Sequence, residues 1–167
     1  MILAADEHGG IGYKNGLPWP KISTDLKYFR KITQDNVVVM GSNTWRSLGI
    51  YAPLDMRINY VISSQNPFKF PNAYDIYDPT QETLEDILMS IEWRHPGREI
   101  FVIGGKTLYD ATHHLCDKVY LTNVLGKYKC DTFCDVPEYL KGRSIISSVT
   151  EPGDQNTPTV QFTIWES

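Results

Sequence analysis

The sequence predicts an α/β fold, one mixed sheet with helices on both faces. Three observations carry this reading. Apolar runs such as Val37-Val38-Val39-Met40-Gly41 and Glu99-Ile100-Phe101-Val102-Ile103-Gly104-Gly105 alternate with segments of helical period, and strands buried on both faces of a parallel sheet read as continuous apolar runs of this kind. Each of these runs passes through glycine straight into a helical segment. The stretches Ser144 to Val149 and Thr159 to Trp165 alternate in polarity around a Pro152-Gly153-Asp154 loop, the pattern of an antiparallel hairpin.

The elements follow in order. Met1 to Ala5 reads as a short buried strand. Glu7 to Gly16 is rich in glycine and turn formers and is expected to be a mobile loop. Leu17-Pro18-Trp19-Pro20 stiffens the chain, and Trp19 between two prolines is either a local staple or a fixed cleft wall. Ser23 to Thr33 reads as a helix, with Ser23 or Thr24 as N-cap. Val37 to Gly41 is a strand and Ser42 to Leu48 a short helix; Ile58 to Ser64 is a strand ending in hydroxyls, and Ala73 to Tyr77 another. Thr80 to Trp93 is amphipathic, with Leu84, Ile87, Leu88 and Ile91 at helical spacing. The strand Glu99 to Gly105 leads into a helix over Lys106 to Ala111, and Asp117 to Val124 is the strand before the hairpin. No repeat or linker divides the chain, so a single domain over 1–167 is expected.

Composition excludes several classes. The chain is 41% hydrophobic and 22% charged, an ordinary globular balance. A net charge of −4 without a basic stripe argues against a nucleic-acid partner. No apolar run approaches the roughly 20 residues of a membrane span, and Met1 to Asp6 lacks the basic region of a signal peptide. Cys116, Cys130 and Cys134 form an odd set without framework spacing, which points to reduced thiols in the cytoplasm. Cys130 and Cys134 beside His113-His114 complete no four-ligand pattern, so no metal is expected.

The helix over Ser23 to Thr33 carries the candidate for chemistry. At about 100° per residue, Phe29 lies about 40°, Ile22 about 60°, Leu26 about 100° and Ile32 about −20° from Asp25. Lys27, Arg30 and Lys31 occupy the opposite arc. Asp25 therefore sits inside the apolar face. An acid in a first turn is commonly only a cap that answers the helix dipole. The functional reading is a carboxylate on a cleft wall, with its proton affinity raised by lost hydration and suited to an N–H-rich ligand.

Two familiar phosphate motifs fail. Gly105-Lys106-Thr107 lacks the glycine required five residues earlier, where Ile100 stands. Gly10-Ile11-Gly12 lacks the next glycine of a dinucleotide fingerprint, where Asn15 stands. What remains is a pair of strand–Gly–helix turns, at Gly41 and at Gly104-Gly105, able to aim backbone N–H groups at one diphosphate. Ser63 and Ser64 end an intervening strand and can receive a further phosphate. Each turn alone is also ordinary α/β connection chemistry.

Taken together, the segments resemble dihydrofolate reductase nearly end to end. The resemblance runs through Ile11-Gly12, Leu17-Pro18-Trp19, Asp25-Leu26-x-x-Phe29, Met40-Gly41-x-x-Thr44-Trp45-x-Ser47-Leu48, Pro53-Leu54 and Arg57-x-Asn59. It continues through Ser63-Ser64, Ile103-Gly104-Gly105, Tyr109, Tyr120-Leu121-Thr122, Asp131-Thr132 and the terminal hairpin. It implies a central, mostly parallel eight-stranded sheet with an antiparallel last strand, and an adenosine-binding subdomain over about 37–105. It implies reduction of 7,8-dihydrofolate to tetrahydrofolate by NADPH, with hydride to C6 and protonation at N5. By resemblance Asp25 anchors the N3 and 2-amino edge of the pteridine, with Thr122 as its hydrogen-bonding partner and Trp19 beside the water that carries the proton. Ile2, Leu3, Ala4, Leu26, Phe29, Leu48, Leu54 and Ile103 match the apolar pocket, and Arg57 matches the arginine that pairs with the substrate's α-carboxylate. Ala4, Ile11, Gly12 and Tyr109 match the nicotinamide side. Gly41, Thr44, Gly104, Gly105, Lys106, Thr107 and Leu108 match the diphosphate side, and Ser42, Asn43, Ser63 and Ser64 its neighbourhood. A cis Gly104–Gly105 peptide is implied, as is a loop over Gly9 to Trp19 braced by Asp131.

Departures accompany the match. Ser42 and Thr107 stand where some members carry basic residues that help hold the 2′-phosphate of NADPH, with Ser63, Ser64, Arg46 and Lys106 as the available substitutes. Asp55-Met56 replaces the usual Pro-Gly, Ile50-Tyr51 looks like an insertion, and Cys130 replaces a glycine of some bacterial members. Two other functions stay open: a reductase of the same fold acting on a pyrimidine precursor of riboflavin, and a non-catalytic nucleotide- or folate-binding module. The expected partner is a small-molecule folate, with no nucleic acid or membrane, and a monomer.

Overall fold

The structure is a computed structural model describing residues 1–167. In chain order its elements are β1 (Ile2–Asp6), β2 (Gly10–Gly12), α1 (Ser23–Thr33), β3 (Val37–Gly41), α2 (Ser42–Leu48), β4 (Ile58–Ile62), β5 (Asp75–Tyr77), α3 (Leu84–Arg94), β6 (Ile100–Gly104), α4 (Lys106–Thr112), β7 (Lys118–Val124), β8 (Thr132–Phe133), α5 (Val136–Leu140), β9 (Ser144–Glu151) and β10 (Val160–Glu166). They pack as two compact units, Met1–Ile32 with Cys116–Ser167, and Thr33–Leu115. No helix is long and apolar enough to cross a membrane.

The Thr33–Leu115 unit holds a four-stranded sheet in the order β5-β4-β3-β6, parallel throughout. β3 is inside this sheet, so every side chain of Val37-Val38-Val39-Met40 is enclosed, each with 0% exposure. That enclosure is the reason for a β-branched run without alternation. In the middle of the ladder, opposite Val39, Tyr60 is fully buried on β4 and its hydroxyl lies 2.7 Å from His95 Nε2.

The other unit holds a four-stranded sheet in the order β1-β7-β10-β9 and a two-stranded ribbon of β2 and β8. β1 runs parallel to β7, while β10 runs antiparallel to both β7 and β9. The antiparallel last strand expected from sequence is therefore present. Trp19, Ile22, Val124, Val160 and Phe162 form a buried cluster, with Ala4, Tyr28 and Tyr128 packed against it. One parallel and one mixed sheet with helices agree with the predicted α/β class, but hydrogen bonding groups eight of the strands four and four rather than into the single eight-stranded sheet expected.

Two local expectations are corrected. Neither Ser23 nor Thr24 caps α1; the helix begins at Ser23, and the Ile22 carbonyl accepts from the amides of Asp25 and Leu26, each at 3.1 Å. α3 begins at Leu84 rather than Thr80, because Thr83 is the cap, its hydroxyl accepting from Asp86 N at 3.1 Å. The ribbon of β2 and β8 and the helix α5 went unpredicted. β2 is Gly-Ile-Gly, with almost no strand propensity of its own, whereas α5 did carry a start signal in Asp135 followed by Pro137.

Candidate active site

Asp25 is the third residue of α1 and half-buried. Burial pushes its carboxyl upward in pKa; a hydrogen bond from the Thr122 hydroxyl acts in the opposite sense and is the smaller effect. Thr122 itself is 3% exposed and pairs in register with Ala4 of β1. The predicted apolar arc is real but is not a core face. Ile22 is buried, Phe29 is half-buried and Leu26 is 44% exposed. The result is an acid flanked by half-exposed apolar side chains, with one hydroxyl donor behind it, a combination that can face a ligand.

Trp19 is enclosed, meeting Tyr128 edge-on with ring centroids 6.0 Å apart, and its buried Nε1 makes no hydrogen bond to the protein. Tyr28 stacks on Phe162 at 4.1 Å; burial, then Tyr120 and Asp25, raise the proton affinity of its phenol. Ile2 and Leu3 are buried on β1, and Ala4 is half-buried.

The loop that follows β1 is tied at several points. Asp131 Oδ2 accepts from Lys14 N at 2.8 Å, and Asp131 N donates to the Gly12 carbonyl at 2.9 Å, so the expected brace is present. Asp6 is a second tie that sequence reasoning missed. Its buried carboxylate accepts from the amides of His8 and Gly10, each at 2.9 Å, and of Tyr128 at 3.0 Å. The Cys130 thiol adds a longer contact at 3.6 Å. Burial raises the Asp6 pKa, but the three amides and the thiol together outweigh it and leave it low. The Cys130 thiol is pushed up to about 11, by burial first and Asp6 second, which keeps it protonated as a donor. The available signal was an acid closing an apolar strand shortly before Gly9-Gly10.

In the Thr33–Leu115 unit, the two glycine turns meet. A Cβ on Gly41 would lie 3.8 Å from the Gly104 carbonyl oxygen and 3.9 Å from Gly105 N. Gly104 has φ +128°, and a Cβ there would stand 3.1 Å from Thr44 Oγ1 and 3.3 Å from the Tyr109 hydroxyl. The Gly104–Gly105 peptide is cis, as the resemblance implied, and so is Ala52–Pro53. Gly41, Thr44, Gly104, Gly105 and Tyr109 thus come together at strand ends, with Leu108 buried, Lys106 and Thr107 exposed and Ile103 half-buried. Ser63 is buried and accepts from Gln65 N at 3.0 Å, while Ser64 is exposed. This glycine cradle with bordering hydroxyls fits a dinucleotide's phosphates.

Arg57 is held by Thr33, which accepts at 3.1 Å, and by Asp55, whose carbonyl accepts at 2.7 Å and whose carboxylate lies at 3.4 Å. The arginine side chain is only 4% exposed and Asp55 is 71% exposed. Leu48 and Leu54 are half-buried in the same unit. Ile50 and Tyr51 form an exposed turn over Gly49–Tyr51.

The family model described as dihydrofolate reductase matches residues 1–167. Dihydrofolate reductase type 9 of Escherichia coli is 32% identical over 165 residues, covering 99% of this chain and 90% of that protein. The bifunctional dihydrofolate reductase-thymidylate synthase of Paramecium tetraurelia is 37% identical over 136 residues, 80% of this chain but 27% of its own length. The chain therefore spans about a quarter of that relative. A solved structure of dihydrofolate reductase from Enterococcus faecalis complexed with NADP(H) and RAB-propyl superposes with a TM-score of 0.80 at 25% identity, covering 99% of this chain and 93% of that one. With the family match extending over its whole length and the fold agreeing, the chain belongs to the dihydrofolate reductase family.

Proposed function

We propose that the chain reduces 7,8-dihydrofolate to 5,6,7,8-tetrahydrofolate with NADPH, supplying one-carbon metabolism and thymidylate synthesis. The observation that carries this is Asp25, an acid of raised proton affinity among half-exposed apolar side chains, with Thr122 as its donor. Its carboxylate accepts from the N3 and 2-amino edge of the pteridine and fixes the ring's orientation. Its negative charge favours the form of the substrate protonated at N5. The buried, unpartnered Trp19 Nε1 is available to a water at that edge. Ile2, Leu3, Ala4, Leu26, Phe29, Leu48, Leu54 and Ile103 supply the apolar lining, and Arg57 binds the α-carboxylate of the folate tail.

NADPH, when bound, supplies the hydride for C6. Gly41, Thr44 and the Gly104-Gly105 turn, with Lys106, Thr107 and Leu108, hold its diphosphate, while Ser42, Asn43, Ser63 and Ser64 border its adenosine. Ala4, Ile11, Gly12 and Tyr109 receive the nicotinamide, and residues 37–105 serve as the adenosine-binding subdomain. The proposal includes a monomer working in the cytoplasm, where the free thiols of Cys116, Cys130 and Cys134 stay reduced.

The test is loss of NADPH absorbance with 7,8-dihydrofolate present and then omitted, with NADH in parallel. Oxidation that depends on dihydrofolate is the expected result. Folded protein that oxidises neither cofactor, or that turns over only the pyrimidine precursor of riboflavin, overturns the proposal.

A further inference from the structure

At the carboxyl ends of β3 and β4, where open α/β sheets receive ligands, the structure gathers a donor-rich cluster around one guanidinium. Arg46 Nη2 donates to Asn43 Oδ1, and Arg46 Nη1 donates to Gln65 Oε1 at 3.3 Å. Gln65 is itself oriented: its Nε2 donates to Ser42 Oγ at 3.4 Å and its backbone N donates to Ser63 Oγ at 3.0 Å. Ser42, Asn43 and Arg46 share one face of α2, being four and three residues apart. Both acceptors on Arg46 are neutral amide oxygens, and the guanidinium makes no ion pair. Lys106, the cation beside the neighbouring Gly104-Gly105 turn, is instead paired with Asp110 at 3.2 Å.

A planar guanidinium fixed by two amides, its charge unneutralised, with two serine hydroxyls attached to the same network, is suited to a phosphate monoester. Holding the side chain in advance also reduces the rotamer freedom lost on binding. Ser42 directly follows Gly41, whose turn belongs to the diphosphate cradle. The next substituent of an adenosine dinucleotide lying along these strand ends is its ribose, and NADPH differs from NADH by a phosphate there.

We infer that Arg46, oriented by Asn43 and Gln65, is the residue that distinguishes NADPH from NADH by binding the ribose phosphate. The inference rests on the reading of NADPH as reductant. It assigns cofactor choice to the fifth residue of α2, with Ser42 and Ser63 as supporting hydroxyls.

The experiment measures affinities of NADPH, NADH, 2′,5′-ADP and 5′-AMP by calorimetry for wild type, Arg46→Gln, Arg46→Lys and Asn43→Ala, alongside kcat/KM with both cofactors. Wild type is expected to favour 2′,5′-ADP over 5′-AMP, with the steeper salt dependence for the former. Arg46→Gln is expected to lower the NADPH:NADH affinity ratio about tenfold or more. Arg46→Lys should restore part of that ratio, and Asn43→Ala should lower it less. Melting curves confirm that each variant is folded, and the wild-type fragment preference with its salt dependence decides the matter if a variant is not. A ratio unchanged in folded Arg46→Gln, or no 2′,5′-ADP preference in wild type, overturns the inference. If dihydrofolate-dependent oxidation of NADPH persists in that case, the proposed reaction still stands. If wild type binds 2′,5′-ADP through Arg46 yet oxidises nothing, the reaction fails and the assignment of Arg46 survives.

Discussion

At the scale of the residue, Asp25 couples function to a cost in stability. Burial raises its pKa, so its contribution to stability is complete below the ordinary aspartate value and is lost as pH rises through the folded value. Asp25→Asn is therefore expected to leave stability unchanged near pH 3 and to increase it at pH 7, as read by denaturant melts at the two pH values. The same change should lower turnover about a hundredfold at neutral pH, with partial recovery in acid, where the substrate arrives already protonated. A variant as active as wild type at pH 7 would remove Asp25 from its role. The wheel placed Asp25 in an apolar arc from sequence, because helical spacing is a local property. It did not show that Leu26 and Phe29 would stay partly exposed, so that the arc is not a core face. Asp55 illustrates a different limit. The sequence marked it as a departure, but its approach to the Arg57 guanidinium became visible only in three dimensions. There the chain's own carboxylate sits against the group proposed to bind the substrate's.

At the scale of the element, the Gly41 and Gly104-Gly105 turns form the proposed cofactor cradle. Gly104 needs both its backbone conformation and its missing side chain, since φ is +128° and a Cβ would meet Thr44 and Tyr109. Gly104→Ala should cost about 2 kcal/mol of stability and weaken NADPH binding about tenfold or more; a thermal melt and a fluorescence titration measure the two effects. The turns were legible because each apolar strand runs visibly through glycine into a helical period. The ribbon of β2 and β8 was not legible. Its pairing is set by partners about 120 residues away, such as Asp131 with Lys14, and two very short strands carry no periodicity of their own. α5, only five residues long, carries its start signal in Asp135 and Pro137.

At the scale of the whole molecule, Asp6 ties distant segments together and its contribution to stability is sensitive to acid. Its low folded pKa contributes stability above the ordinary aspartate value, and that contribution is lost as pH falls through the folded value. Asp6→Ala leaves buried amides without an acceptor and is expected to cost about 3 kcal/mol near neutral pH, with the deficit shrinking below pH 3. Equal losses at pH 7 and pH 2 in chemical denaturation would contradict this account. The chain by itself determined the α/β class, the parallel core strands, the terminal hairpin, the glycine turns and the family. These depend on short-range periodicity and on ordered motifs, which survive in one dimension. Tertiary structure alone decided what joins distant segments: Asp6 reaching Tyr128 and Cys130 across more than 120 positions, and Gln65 reaching Ser42 and Arg46. The physical reason is that a hydrogen bond to a buried or oriented polar group requires a partner wherever the fold can bring one, and sequence distance places no bound on where that is.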